Sequence, residues 1–273
     1  MTWWCAATGL PWSWSWQAYP GVWIFIALLG FSYWRFGRTP ADTRATRYFL
    51  SGLLTLWIAL DWPLGTLGTY LASAHTGQFI LITLGAPGLL LLGLRPRLAA
   101  LASADTFAAR TLRFLARPAP AFVGYTTLML GTHLPDIVDP FMATQWGSFL
   151  IDMLWLLAGL FLWWPVTAPD GFRRLAPPAA MGYLFVQTIP GTAPAAFLIF
   201  SQYPLYRLYE LAPRVTEVLT PRYDHQVAGL LMKIVGDPVV WIGITIIFFR
   251  WANAERRADR SRTRTEAAEP RPG

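Results

Sequence analysis

The chain has 273 residues, of which 55% are hydrophobic and only 14% charged, and its mean hydropathy is positive. A soluble domain of this length needs far more charged surface, so composition excludes that class and points to a membrane protein. The net charge of +7 does not indicate a nucleic-acid binder, because the arginines sit in short clusters between apolar runs and in the C-terminal tail, the pattern of loops facing anionic lipid.

No basic region precedes the first apolar stretch, which therefore reads as a retained helix and not as a cleaved leader. Cys5 is the single cysteine; it has no disulfide partner and belongs to no thiolate metal set. Stretches of about 20 mostly apolar residues are needed to span a bilayer. In chain order they fall at 19–36, 48–64, 70–94, 120–134, 149–166, 179–200 and 226–251. The expectation is an all-α, polytopic transmembrane bundle over 1–251, with about seven spans and a disordered basic tail over 252–273. Tryptophans flank several of these runs, among them Trp3, Trp4, Trp12, Trp14, Trp16, Trp23, Trp163 and Trp164, as in interfacial belts.

The arginines give the orientation. Arg35, Arg38, Arg44 and Arg47 lie in the first loop, Arg95, Arg97, Arg110, Arg113 and Arg117 in the third, and Arg173 and Arg174 in the fifth. Arg250, Arg256, Arg257, Arg260, Arg262, Arg264 and Arg271 belong to the tail. An odd number of spans puts all of these on one side. The other loops hold only Arg207, Arg214 and Arg222, interleaved with Glu210, Glu217 and Asp224. The positive-inside rule then predicts an outer N-terminus and a cytoplasmic C-terminus.

With that orientation the three histidines share the outer face: His75 starts the third span, His133 ends the fourth and His225 starts the seventh. Asp61, Gln78, Asp136, Asp139, Asp152, Asp224 and Gln226 accompany them. Ionisable groups at membrane depth are costly and mark functional sites. His75 and Gln78 are three apart and share a helix face; Met129 and His133, four apart, share another. An imidazole and a thioether on neighbouring turns suit a soft cation such as Cu(I).

Within the seventh run Lys233 and Asp237 are spaced for an internal ion pair, and Gly236-Pro238 predicts a kink. Pro190, Gly191 and Pro194 interrupt the sixth, where freed carbonyls need internal partners. No P-loop, dinucleotide-binding or zinc-protease signature is present.

Several short motifs in order carry a family resemblance. They are Asp61-Trp62-Pro63-Leu64, Ser73-Ala74-His75-Thr76-Gly77-Gln78-Phe79, Thr132-His133-Leu134-Pro135 with Asp139, and Phe161-Leu162-Trp163-Trp164-Pro165. Tyr203-Pro204-Leu205-Tyr206 with Tyr209 and Asp224-His225-Gln226-Val227-Ala228-Gly229 follow. The chain so resembles the CtaG family of cytochrome c oxidase assembly factors over residues 53–241. Two positions depart from the family pattern: Phe79 replaces a histidine and Thr76 a methionine. The outer part of the fifth span, where the family tends to carry histidine, reads Gln145 to Asp152 without one.

The resemblance implies a non-enzymatic factor of the bacterial inner membrane that helps to build a haem-copper oxidase, with oxidase subunits or a copper chaperone as partners and no nucleic acid. Copper is the expected metal. His75, His133 and His225 are the candidate ligands and Met129 a soft fourth, with Asp61, Gln78, Asp152 and Asp224 as carboxylate or supporting partners. The alternative is a small proton- or ion-coupled transporter working through Lys233 and Asp237.

Overall fold

The computed structural model describes residues 2–38, 42–102, 104–169, 172 and 175–268, without the side chains of 102, 108 and 262–268. Arg173, Arg174 and Arg271, counted above for orientation, lie outside the described residues, as do the side chains of Arg262 and Arg264.

The described residues form helices and turns with no strand. Helix α1 (Pro20–Ser32) runs into a π-turn at Tyr33–Gly37, and α2 is Thr43–Leu60. The short α3 (Leu64–Leu67) precedes α4 (Ala72–Phe79), which passes through a π-turn at Ile80–Gly85 into α5 (Ala86–Ala102). Next come α6 (Phe107–Leu115), α7 (Pro118–Gly131), α8 (Pro135–Met142) and α9 (Gln145–Thr167). Helices α10 (Pro177–Gln187) and α11 (Thr192–Phe200) form one broken rod. The short α12 (Arg207–Leu211) leads to α13 (Pro221–Leu231), a π-turn at Met232–Gly236 and α14 (Asp237–Ala268).

Four of these rods are long and apolar enough to cross a membrane: Ala72–Leu101, Gln145–Thr167, Pro177–Phe200 and Pro221–Ser261. Large apolar side chains such as Leu54, Ile58, Phe197, Ile242 and Phe249 are exposed on the bundle's flanks, as a lipid-facing surface requires.

Local chemistry sets the helix starts. Asp42, Thr106, Thr144 and Thr220 accept from backbone N–H groups three residues on, satisfying donors that a first turn leaves free. Proline opens α1, α7, α8, α10 and α13, where its missing N–H costs nothing. The expected kink at Gly236-Pro238 is absorbed by the π-turn Met232–Gly236, which keeps the rod continuous. The expected ion pair is present, Lys233 Nζ lying 2.6 Å from Asp237 Oδ2. Lys233 also donates to Thr192 Oγ1 at 2.9 Å, beside the α10–α11 break.

Two readings from composition change. The last helix continues through Ala268, where a disordered tail was expected; Ala, Arg and Glu in the tail all favour helix. Trp4 and Trp163 are not belt residues. Trp163 is buried with its indole N–H on the Leu84 carbonyl at 2.9 Å, supplying the partner that backbone at a π-turn needs inside a bundle.

Trp4 belongs to a non-helical strap, residues 2–19, tucked into one end of the bundle. It is 1% exposed and its indole donates to Asp152 Oδ2 at 2.8 Å. Trp3 N donates to Gln145 Oε1 at 2.7 Å and Ala7 N to Met142 O at 3.2 Å. Cys5 Sγ donates to Leu60 O at 3.2 Å. Burial pushes the Cys5 thiol well up, with the Asp152 charge adding to the effect, so it stays protonated and does not act as a soft thiolate.

Trp4→Ala removes the largest buried side chain of the strap and leaves the Asp152 carboxylate unpaired. It is expected to cost ~3 kcal/mol or more, read as a lowered melting temperature of the purified protein; Trp14→Ala, at an exposed position, should leave that temperature within a degree or two.

Candidate functional site

Buried aspartates and histidines among the described residues are Asp61, His75, Asp152, Asp224 and His225. All lie close to the end of the bundle that the strap covers. His75 sits one turn into α4, and His133 follows the last turn of α7. Together they line a small cavity of about 20 Å³, room for roughly one water or one ion. Its walls are aromatic. The His75 ring is 4.6 Å from Trp155 and 5.9 Å from Tyr209, and the His133 ring is 5.0 Å from Phe79 and 6.1 Å from Trp155.

Hydrogen bonds assign the imidazole tautomers. Gln78 Nε2 donates to the Ala59 carbonyl at 2.9 Å, which turns its Oε1 to His75 Nδ1 at 3.3 Å. The ring therefore carries its proton on Nδ1, and Nε2 keeps a lone pair that is buried and without a partner. His133 donates from Nδ1 to the Met129 carbonyl at 2.7 Å, so its Nε2 is also the free acceptor. Both are neutral imidazoles in the form that binds a metal.

His225 differs. Its Nδ1 donates to the Pro221 carbonyl at 2.6 Å and its Nε2 accepts from Tyr206 N at 3.2 Å. Both nitrogens are engaged, and the rings of Tyr206 (5.5 Å) and Tyr209 (6.1 Å) lie against it. It supports the wall and does not line the cavity.

The predicted partners divide in the same way. Asp224 accepts from Ala72 N at 2.6 Å, from Ser73 N at 3.1 Å and from the Ser73 hydroxyl. It thus closes the positive N-terminus of α4 one turn before His75. Asp152 is held by Trp4. Asp61 accepts from the indoles of Trp57 and Trp23 at 2.6 and 3.0 Å and from Trp62 N at 2.9 Å. Met129 is buried, but its methyl end points to Gly191 and it lines none of the cavity. Among the described residues no group of three or more His, Cys, Asp or Glu is disposed to hold a metal ion; the structure brings together two imidazoles only.

Sequence reasoning missed the residues that shape this cavity. Trp155 donates to Thr132 Oγ1 at 2.9 Å and packs against both histidines. Tyr209 donates to Gly68 O at 3.0 Å and Tyr206 to His133 O at 2.9 Å. Burial pushes both phenols up from their ordinary value, so they remain donors. The pair Tyr206 and Tyr209, three positions apart, was the available signal; Tyr206 caps the start of α12 and Tyr209 lies within it.

The profile of the cytochrome c oxidase caa3 assembly factors (Caa3_CtaG) matches residues 23–254. The chain belongs to this family. An uncharacterized protein of Mycobacterium bovis and another of Mycobacterium tuberculosis are each 24% identical to it over 161 residues, covering 54% of this chain. The match spans only 22% of each relative's length. No solved structure matches. In this Caa3_CtaG chain the family resemblance read from short motifs is thus confirmed over nearly the whole bundle, while the transporter alternative gains no support.

Gly68 tests the assignment of the His75 tautomer, because a methyl there would overlap the Gln78 amide oxygen. Gly68→Ala is expected to displace Gln78, release the His75 ring and cost about 1–3 kcal/mol by overpacking. The readout is the pair of His75 ring-nitrogen resonances, which should lose their Nδ1-protonated pattern; Gly131→Ala, where the added methyl meets nothing within 4 Å, should leave them unchanged.

Proposed function

We propose that this assembly factor holds a copper ion in transit to a haem-copper oxidase, as cargo and not as a resident cofactor, between His75 and His133. The observation that carries the reading is the buried, unpartnered Nε2 of His75 in a cavity it shares with His133. A buried acceptor without a donor is costly, and a cation accepting both lone pairs removes that cost. Imidazole suits copper, and Cu(I) tolerates low coordination. Two ligands grip less firmly than the closed four-ligand sets of structural metals, which favours release to an oxidase subunit or exchange with a copper chaperone.

Gln78 orients His75 from behind, and Asp224 fixes the helix end that carries it. The remaining predicted residues hold the frame: Asp61 and Asp152 pin the strap and rim, His225 braces Tyr206, and Met129 supplies the carbonyl that orients His133. No bond is made or broken in this role, so no catalytic residue is assigned.

The same reading takes about seven crossings of a bacterial inner membrane, with the N-terminus outside and α14 ending in the cytoplasm. It is supported by α1, α2 and α7, which add three helices to the four longest rods, and by the polarity of the bundle. Along the rod Ala72–Leu101, His75 and Arg95 are about 30 Å apart by helical rise. Arg44, Arg95 and Arg250 gather at the end opposite the histidines.

Anaerobic Cu(I) titration of the purified protein tests the cargo. The parent should bind one ion; His75→Ala and His133→Ala should each weaken binding at least ten-fold, and Gln78→Leu by roughly ten- to a hundred-fold. Protons compete for the same lone pairs, so affinity should be full at neutral pH and fall on acidification below about pH 6. No copper uptake by the parent ends the ligand assignment. Loss of oxidase activity on gene deletion, restored by added copper, checks the assembly role separately.

Orientation is checked by impermeant maleimide labelling of single cysteines in a Cys5→Ala background. Asp136→Cys should label in intact cells and Asp105→Cys only after permeabilisation; the reverse pattern places the cavity on the cytoplasmic side and removes the periplasmic delivery route.

A further inference from the structure

At the end of the bundle remote from the histidines, three arginines from three separate helices meet on one surface groove of about 490 Å³. Arg44 comes from the first turn of α2, Arg95 from α5 and Arg250 from α14. Each has a lining residue one turn nearer the middle of the bundle on its own helix: Tyr48 four residues from Arg44, Leu92 three from Arg95 and Ile246 four from Arg250. The groove is therefore layered. Three guanidinium-bearing positions form the outer level, and an aromatic and two aliphatic side chains form the level beneath.

Charge on the groove is unbalanced. Asp42 is its only acidic lining residue, and its Oδ1 is engaged as the cap of α2, accepting from Ala45 N at 2.9 Å. Among the described residues the ion pairs are Arg110 with Asp105 and Lys233 with Asp237, so none of the three groove arginines has a carboxylate partner. Arg44 instead lies over the Tyr48 ring, 5.6 Å from its centroid, and donates to its hydroxyl at 3.2 and 3.3 Å. That contact holds the guanidinium at the rim with planar N–H groups still free to point outward.

We propose that this groove is a binding site for an anionic phospholipid of the inner leaflet. The phosphate is taken by Arg44, Arg95 and Arg250, and an acyl chain runs down the slot past Leu92 and Ile246. Guanidinium matches phosphate oxygens in pairs, and basic pockets between transmembrane helices on the cytoplasmic side select anionic headgroups. A free phosphate would meet the outer level alone; only a lipid uses both. The site ties the start of α2 and the middle of α5 to α14, which belongs to the rod Pro221–Ser261 whose apolar window is only 17% buried by the rest of the chain. It rests on the cytoplasmic placement of this end, not on copper binding.

The full chain in neutral detergent is titrated with phosphatidylglycerol, diphosphatidylglycerol, phosphatidylcholine or inorganic phosphate, and bound lipid is counted by native mass spectrometry alongside the melting temperature. The parent should bind one anionic lipid saturably and melt at higher temperature with it, and show neither effect with phosphatidylcholine or inorganic phosphate. The double variant Arg95→Gln/Arg250→Gln should lose roughly ten- to thirty-fold in anionic-lipid affinity. The control Arg256→Gln/Arg257→Gln removes two exposed arginines further along α14 and should bind as the parent does. Equal binding by the groove variant, equal loss in the control, or equal effects of phosphatidylcholine or inorganic phosphate would each overturn the site. Cu(I) titration of the same groove variant should match the parent, so a failed lipid site and a failed copper site are read independently; labelling of Asp105→Cys from outside would remove the inner-leaflet placement alone.

Discussion

The histidine-bearing end of this bundle depends on one carboxylate meeting one helix terminus. Asp224 of α13 takes the free backbone N–H groups of Ala72 and Ser73 at the start of α4. These are donors that no i→i−4 bond can use, and they carry the positive end of the helix dipole. The bond joins elements about 150 residues apart in the chain and sets the height of α4 against α13. His75, one turn beyond, inherits its position from that bond, and His225 inherits its own from being the next residue. A neutral residue in place of Asp224 would leave several buried donors unmet at once, so the position couples folding to site geometry.

Other polar groups around the site follow the same rule, that a group removed from water needs a partner. Tryptophan indoles close on Asp61 and Asp152, tyrosine hydroxyls on the carbonyls of Gly68 and His133, and Gln78 on Ala59. Among the described residues seven buried side-chain atoms lack a bond, and Nε2 of His75 is the imidazole nitrogen among them. The cavity is thus defined less by what gathers in it than by what its neighbours have already satisfied elsewhere.

Much of the architecture was legible in composition and periodicity, because an apolar run of sufficient length has few alternatives in a bilayer. The run at 149–166 became Gln145–Thr167, and the broken run at 179–200 became two helices parted by Thr188–Gly191. The site was half legible. His75, His133 and the pairing of Gln78 with His75 followed from helical spacing. The fates of Asp61, Asp152 and His225 did not, because each is decided by a partner distant in the chain: Trp23 for Asp61, Trp4 for Asp152 and Tyr206 for His225. Spacing rules describe neighbours on one helix, and these bonds join different elements. The strap was missed for a related reason: clustered tryptophans look the same whether they float at an interface or are driven into a bundle.

That strap has a bearing on biogenesis. Trp4 is made well before its hydrogen-bond partner Asp152, which lies 148 positions later. The strap stays unseated until the helix carrying Asp152 has been made. Asp224, on a still later helix, then closes the opposite wall. The cavity between His75 and His133 also takes wall residues as late as Ala228, so a chain that stalls before α13 lacks it.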